Sequence, residues 1–388
     1  MSGRVARRRR SVCGVAAARA ASGLPLTLLG SLVAALLTLG LAGGSSDAIG
    51  ARSTTEVVQG AAVWGWLQRR CVGARERLPA YPWPVAPFHE QHPVRGYFGD
   101  PRTVITGIGE GAFSFHNGVD ISAATGTRVY PVVSGVVVQA RGQRVVVASS
   151  HDRRFQYIHI FPRVRVGEPA VASDTVLGTV LPLVRHVHLS EIRGMCVVNP
   201  LMPGHLSPFH DTQKPVVRSI TFESLAGRRI LPDALSGEVR VIADAYDRPA
   251  IPSPYPWSSM PVSPVLIRWR LATLTGRTLQ SRVAVDFRVS LPPRDDFCEV
   301  YAPGTVQNFA AVLGKLHWGQ PGRYLYDLTP VPLDTRLLRD GRYHFTVTAL
   351  NTRGRSGSRT VTIEVRQRQE LPSLTPLPDH RCAPTVAA

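Results

Sequence analysis

From Tyr97 to Gln367 the chain is written in short apolar runs, rich in valine and aromatic residues and closed off by glycine, proline or a polar turn. Between Tyr97 and Leu201 the runs are TRVYPVVSGVVVQA, RVVVASS, RFQYIHIF, DTVLGTV and RHVHLSEI. Strand-length segments with turn residues between them predict a compact antiparallel β domain. Gly135 falls between two Val-rich runs, where a tight turn is expected. From residue 215 to 367 the runs EVRVIADAYD, PVLIRWRLAT, SRVAVDFRVS, GRYHFTVTALN and SRTVTIEVRQ recur at the spacing of an all-β sandwich. The last two, parted by TRGRSG, predict a terminal hairpin. The fold class read from this pattern is all-β, with no repeat of fixed period.

The N-terminus is written differently. Arg4, Arg7, Arg8, Arg9, Arg10 and Arg19 precede an uncharged stretch from Ala20 to Ser46, whose apolar part from Leu24 to about Gly43 is long enough to cross a bilayer as a helix. The basic flank would stay inside and send the rest of the chain outward. Ser46-Asp47-Ala48 is a weak small-x-small cleavage site, so residues 1–48 are expected to be a signal peptide or an N-terminal membrane anchor. Residues 49–79 form a stem or linker, helix-compatible from 52 to 78 with Val57, Ala61, Trp64 and Leu67 near one face. The remaining expected divisions are 80–214 and 215–367 for the two β regions, and 368–388 for a Pro-rich tail. At 388 residues and 44% apolar content, the chain has enough material for two or three cores.

The formal net charge is +18, from 45 Lys+Arg against 27 Asp+Glu, yet only Lys214 and Lys315 are lysine. So strong an arginine excess reads as codon bias in a GC-rich genome. With no nucleic-acid module in the sequence, a nucleic-acid binder is not expected. A basic surface does favour adsorption to a cell wall or to anionic lipid. If the leader is removed, Cys71, Cys196, Cys298 and Cys382 remain, an even number suited to an oxidising compartment. Four cysteines allow three full pairings, and a Cys196–Cys298 bond would tie the two β regions together.

Nine of the twelve histidines lie between residues 80 and 210, and several sit in patterns with a chemical use. In FHNGVDI, His116 and Asp120 are four apart, where a loop entering a strand can turn both onto one centre. In RHVHLSEI, His186 and His188 are two apart on an expected strand and share one face. Tyr157 and His159 of FQYIHIF are expected to do the same. A catalytic zinc site takes three nitrogen, sulfur or oxygen ligands and keeps one position open for water, whose pKa the metal lowers to about 7. His116, Asp120 and one histidine of the HVH pair supply that set. The two remaining histidines are then available to take a proton from water and to stabilise an oxyanion.

These residues lie in a segment that resembles the lysostaphin-type (LytM-type) zinc endopeptidases, which cut peptidoglycan peptides. The likeness begins at YPWPV (Tyr81–Val85) and RGYFGDPR (Arg95–Arg102). It runs through FHNGVDISAATGTRVYPVVSGVVV, VRVGEPAVASDTVLGTV and HVH to VNPL (Val198–Leu201), about residues 81 to 205. The resemblance implies that His116, Asp120 and His188 are zinc ligands and that His159 and His186 assist the attacking water. It implies a peptidoglycan peptide as substrate. All five positions are filled, which argues against the alternative of a non-enzymatic wall-binding or amidase-activating protein on the same scaffold. Departures occur at LPLVR, where the family has a Gly-rich lead into HxH, at HLSE in place of HFE, and in a shortened RGQRVVVASSHDRRF. The sandwich is expected to be Ig-like or fibronectin-like and to carry no chemistry, so deletion after about Lys214 should leave zinc binding intact. His151, His205 and His210 are read as surface histidines, Asp244, Tyr246 and Asp247 as turn chemistry, and Trp269, Trp318, Tyr324 and Tyr326 as core.

Overall fold

The computed structural model describes residues 71, 78–104, 112–309, 311–312, 315–316 and 319–367. The expected leader or anchor, nearly all of the stem, Trp318 and the tail lie outside the described residues. Among the described residues no helix is long and apolar enough to cross a membrane, and the chain there is mostly β-strand.

The first β unit contains β1 (Val94–Gly96), β2 (Pro101–Val104), β3 (Ala112–Phe115), β4 (Val119–Ser122), β5 (Arg128–Val129), β6 (Gly135–Arg141) and β7 (Arg144–Ser149). It continues with β8 (Arg153–Ile158), β9 (Ile160–Pro162), β10 (Pro169–Ala170), β11 (Gly178–Val180), β12 (His186–Arg193) and β13 (Cys196–Val198). Its main sheet runs β1-β4-β12-β8-β7-β6-β10, with β13 paired to β12, and a small β5-β11-β9 sheet shares its core. The strands of both sheets pair antiparallel. Alternation explains β8, where Arg153, Phe155 and Tyr157 are buried and Arg154 is exposed. The central strand β12 is buried along nearly its whole length, so the side chains it carries are held on all sides. Gly135 opens β6 instead of making the expected turn.

The second unit contains β14 (Val216–Ser224), β15 (Arg229–Ile230), β16 (Glu238–Tyr246), β17 (Leu266–Thr273), β18 (Thr278–Asp286) and β19 (Ala311–Val312). It ends with β20 (Lys315–Leu316), β21 (Leu325–Asp327), β22 (Leu333–Asp334), β23 (Gly341–Leu350) and β24 (Ser356–Val365). Two sheets, β15-β14-β16-β21 and β18-β17-β23-β24, enclose a core in which Trp269 stacks on Phe345 at 5.2 Å. Tyr324 and Tyr326 are also core residues, and the terminal hairpin is β23–β24. Asp244 lies buried within β16, not at a turn, and faces Arg218 and Arg323 at 3.4 and 3.6 Å.

The second core reaches into the first unit. Phe98 and Phe115 belong to it, and Phe115 meets Phe287, Phe297 and Tyr301 at 5.4 to 5.9 Å. Buried hydrogen bonds cross the same boundary: the Ser263 amide donates to Asp100 Oδ1 at 2.7 Å, and the Tyr301 hydroxyl donates to the Gly99 carbonyl at 2.7 Å. Cys196 is bonded to Cys71, so the Cys196–Cys298 crosslink does not form.

Candidate functional site

Strand pairing assembles the site. In the β12–β4 register His188 stands opposite Asp120 and His186 opposite Ser122, while on the other side of β12 His188 faces Ile158, the residue before His159. His116 lies just after β3, its amide donating to the Asp100 carbonyl at 2.8 Å and its own carbonyl accepting from Gly99 at 2.9 Å. These pairings bring His116 Nε2, His188 Nδ1 and Asp120 Oδ1 to within 2.9 to 3.1 Å of one another. Two glycines permit this approach. A Cβ on Gly118 would overlap the Leu189 carbonyl and stand 2.6 Å from His188 Nε2, and one on Gly96 would stand 2.6 Å from Asp120 Oδ2.

The donor set fits a cation. His116 Nδ1 lies 2.8 Å from the Tyr97 carbonyl, which can only accept, so the proton of the neutral ring is on Nδ1 and Nε2 presents a lone pair. Burial, followed by the charge of Arg102, pushes His116 down to about 4, so the ring is neutral at pH 7. His188 Nε2 is engaged with Ser190 Oγ at 2.8 Å, so Nδ1 is the ring nitrogen that faces the cluster. Two imidazole nitrogens and a carboxylate oxygen match the ligand preference of Zn²⁺. Arg102 donates to Asp120 Oδ2 at 2.9 Å and leaves Oδ1 for the cluster. Burial pushes the Asp120 carboxyl up, but the surrounding histidines, His116 and His186 foremost, outweigh it and hold the group well below the carboxylate range.

His159 and His186 stand beside this cluster with ring centroids 4.5 Å apart. His186 Nδ1 lies between two groups, 2.6 Å from Arg95 Nη2 and 2.9 Å from the Val184 carbonyl, and its Nε2 is 3.5 Å from Asp120 Oδ1. Burial, opposed by Asp120 and reinforced by Arg95, lowers His186 to about 3. His159 differs from expectation. It does not continue a strand face with Tyr157; it interrupts the run between β8 and β9 at φ +68°. Tyr157 is buried, its hydroxyl accepting from the Val132 amide at 2.8 Å. A non-glycine residue in the left-handed region carries a cost of about 1–3 kcal/mol and is characteristic of functional positions. The kink leaves His159 half-buried, facing a cleft, and burial lowers its pKa below 6.5.

The cleft holds about 670 Å³. His116, Asp120, His159 and His188 line it, together with the Cys71–Cys196 disulfide, Met195 and the segment 290–294 of the second unit. His205 is not at the surface: its Nδ1 lies 2.6 Å from the buried Glu191 carboxylate, whereas His151 and His210 are exposed. Arg95 and Arg102, the outer arginines of RGYFGDPR, have contacts in the site that the sequence pattern does not announce. No spacing rule joins Arg95 to His186 across 91 positions, and the only local sign was a basic residue at each end of a Gly-aromatic run.

No protein-family model and no curated protein matches this chain. Among solved structures, the SpoIIQ–SpoIIIAH pore-forming complex is similar at 20% identity, over 32% of this chain and 89% of that one, with a TM-score of 0.27. A zinc-containing peptidase from Vibrio cholerae is 22% identical over 31% of this chain and 39% of its own, with a TM-score of 0.25. The deep-sea M23 metalloprotease pseudoalterin is 17% identical over 39% and 93%, with a TM-score of 0.24. At these values the functional reading rests on the side chains alone.

Proposed function

We propose that this chain is an exported zinc-dependent endopeptidase that hydrolyses peptide bonds in the stems or crosslinks of bacterial peptidoglycan. The observation that supports it most is the convergence of His116 Nε2, Asp120 Oδ1 and His188 Nδ1 within 3.1 Å, beside a second histidine pair and at the edge of a cleft wide enough for a peptide. His116, Asp120 and His188 would hold the ion. Bound there, zinc acts as a Lewis acid that makes water nucleophilic near neutral pH and polarises a carbonyl. His159, neutral at pH 7 and open to the cleft, takes the proton that the attacking water loses. His186, its Nδ1 held by Arg95 and the Val184 carbonyl, turns Nε2 to the site and assists as the partner of the developing oxyanion. The C-terminal unit reads as an Ig-like or fibronectin-like sandwich that also walls the cleft through residues 290–294.

The test is metal analysis and digestion. About one zinc per chain is expected, removable by chelator, absent from H116A, D120A and H188A, with defined peptidoglycans releasing peptides identified by mass. A purified, folded full chain that binds no zinc and releases no peptide overturns the enzyme reading and favours a wall-binding protein.

A further inference from the structure

A second cavity, of about 570 Å³, adjoins His186 away from any residue yet given a task except Arg95. Its walls come from four stretches of the chain, around residues 93–95, 122–124, 183–185 and 254–257. Pro254, Tyr255 and Trp257 belong to the loop 248–261 of the second unit, and Leu183 and Arg185 belong to the segment leading into β12. The Trp257 ring packs against Phe309 at 4.0 Å and lies 4.1 Å below the Arg95 guanidinium, so it is fixed from two directions. Tyr255 and Leu183 are 85% and 92% exposed, an unusual state for apolar groups beside a cavity that nothing else fills.

Charge makes the cavity selective. Neither Arg95 nor Arg185 forms an ion pair with a carboxylate among the described residues, and Arg95 Nε is buried with no partner. Leu183 and Arg185 adopt φ values of +66° and +54°. Non-glycine residues there cost about 1–3 kcal/mol each, a cost tolerated where the side chains serve a site. Arg185, with no carboxylate partner, and Arg95, whose Nε has none although its Nη2 engages His186, stand beside an aromatic wall and suit a planar anion that also carries an apolar stem.

We propose that this cavity is the subsite for a free carboxylate on the peptide stem of the substrate, with Arg185 and Arg95 pairing the carboxylate and Tyr255 and Trp257 covering its apolar portion. The proposal rests on the peptidase reading and deepens it: the cleft holds the bond to be cut, and the second cavity sorts acidic stems from amidated ones. Charge-assisted hydrogen bonds are roughly twice as strong as neutral ones, so a preference of about tenfold for acid over amide is expected.

The experiment is a calorimetric titration of the zinc-loaded full chain with the stem peptide Ala–γ-Glu–Lys–Ala, its carboxyls free or fully amidated, paired with cleavage of crosslinked stems of both kinds. Wild type should bind the free acid about tenfold more tightly and cleave it with a lower KM. R185Q should lose that preference while keeping kcat and its affinity for the amide, and W257L should weaken both ligands. Equal binding of acid and amide by wild type, or a preference that survives R185Q, overturns the subsite. Selective binding without any cleavage would keep the subsite and overturn the peptidase reading; cleavage without selectivity would do the reverse.

Discussion

Replacing Glu191 with glutamine should destabilise the protein by about 3 kcal/mol at neutral pH. Glu191 is wholly buried on β12, three residues beyond His188. Its carboxylate accepts from the Tyr81 hydroxyl at 2.8 Å, Arg153 Nε at 3.1 Å, Arg193 Nε at 2.8 Å and His205 Nδ1 at 2.6 Å. Burial alone would raise its pKa, but the hydrogen bond and charge of His205, with Arg153 and Arg193, hold it at about 2 against an ordinary 4.5. At about 1.4 kcal/mol per pH unit, that difference gives about 3 kcal/mol. Breaking one side of a buried ion pair costs about 3–5 kcal/mol in general, which agrees.

The sign fixes the pH window. A carboxyl whose folded pKa is depressed contributes fully above its unfolded value and loses the contribution as pH falls toward the folded value. The gap between wild type and E191Q should therefore be full above about pH 5 and close as pH falls from 4.5 toward 2. Near-UV circular dichroism melts should show E191Q about 6–12 °C lower at pH 7. A difference under about 2 °C at pH 7, or one that does not narrow on acidification, refutes the reasoning. The network also ties Tyr81, from the Pro-rich segment, and His205, from beyond β13, to the strand that carries His186 and His188. E191Q should accordingly weaken zinc retention without touching any ligand.

His159→Ala should keep one zinc by metal analysis and lose about 10² to 10⁴ in turnover, as expected for removal of a general base; loss of the metal would mean that the residue coordinates it. Because burial lowers His159 below 6.5, its neutral, proton-accepting form persists as pH falls, and the acidic limb of kcat/KM should lie below 6.5; a limb at or above that value assigns the base to another group. Deletion after Lys214 should abolish zinc binding, contrary to the sequence-based expectation, because it exposes Phe98 and Phe115 at about 1.5–3 kcal/mol each. A soluble fragment that still holds zinc would refute this.

The all-β class was legible because period-two alternation and turn residues are local signals, and β8 and the β23–β24 hairpin follow them directly. The meeting of His116, Asp120 and His188 was legible for a similar reason. Antiparallel pairing of β4 with β12 turns two short motifs onto one face, and the glycines between and before them let the strands close. The kink at His159 was not legible, since the aromatic and isoleucine run RFQYIHIF gives no sign of a left-handed residue within it. Neither was the Cys71–Cys196 pairing, which depends on where β13 brings residue 196 and not on any spacing.

What escaped the sequence most completely is the dependence of the site on the second unit. Phe115 precedes His116 by one residue, so the ring that enters the sandwich core and the ring that joins the His116–Asp120–His188 cluster are carried by adjacent Cα atoms. Asp100 is linked both ways: its backbone carbonyl accepts from the His116 amide, and its carboxylate accepts from the Ser263 amide of the second unit. Gly99 repeats the pattern, donating to the His116 carbonyl while its own carbonyl accepts from Tyr301. Any displacement of the sandwich must therefore move the segment that positions His116, by way of buried hydrogen bonds that cannot be released cheaply. Composition shows where apolar runs change character near residue 215, but it cannot show that two aromatic residues from one side of that change pack in the core of the other. A unit with no histidine or carboxylate in the cluster can thus govern it through the backbone that holds His116 in place.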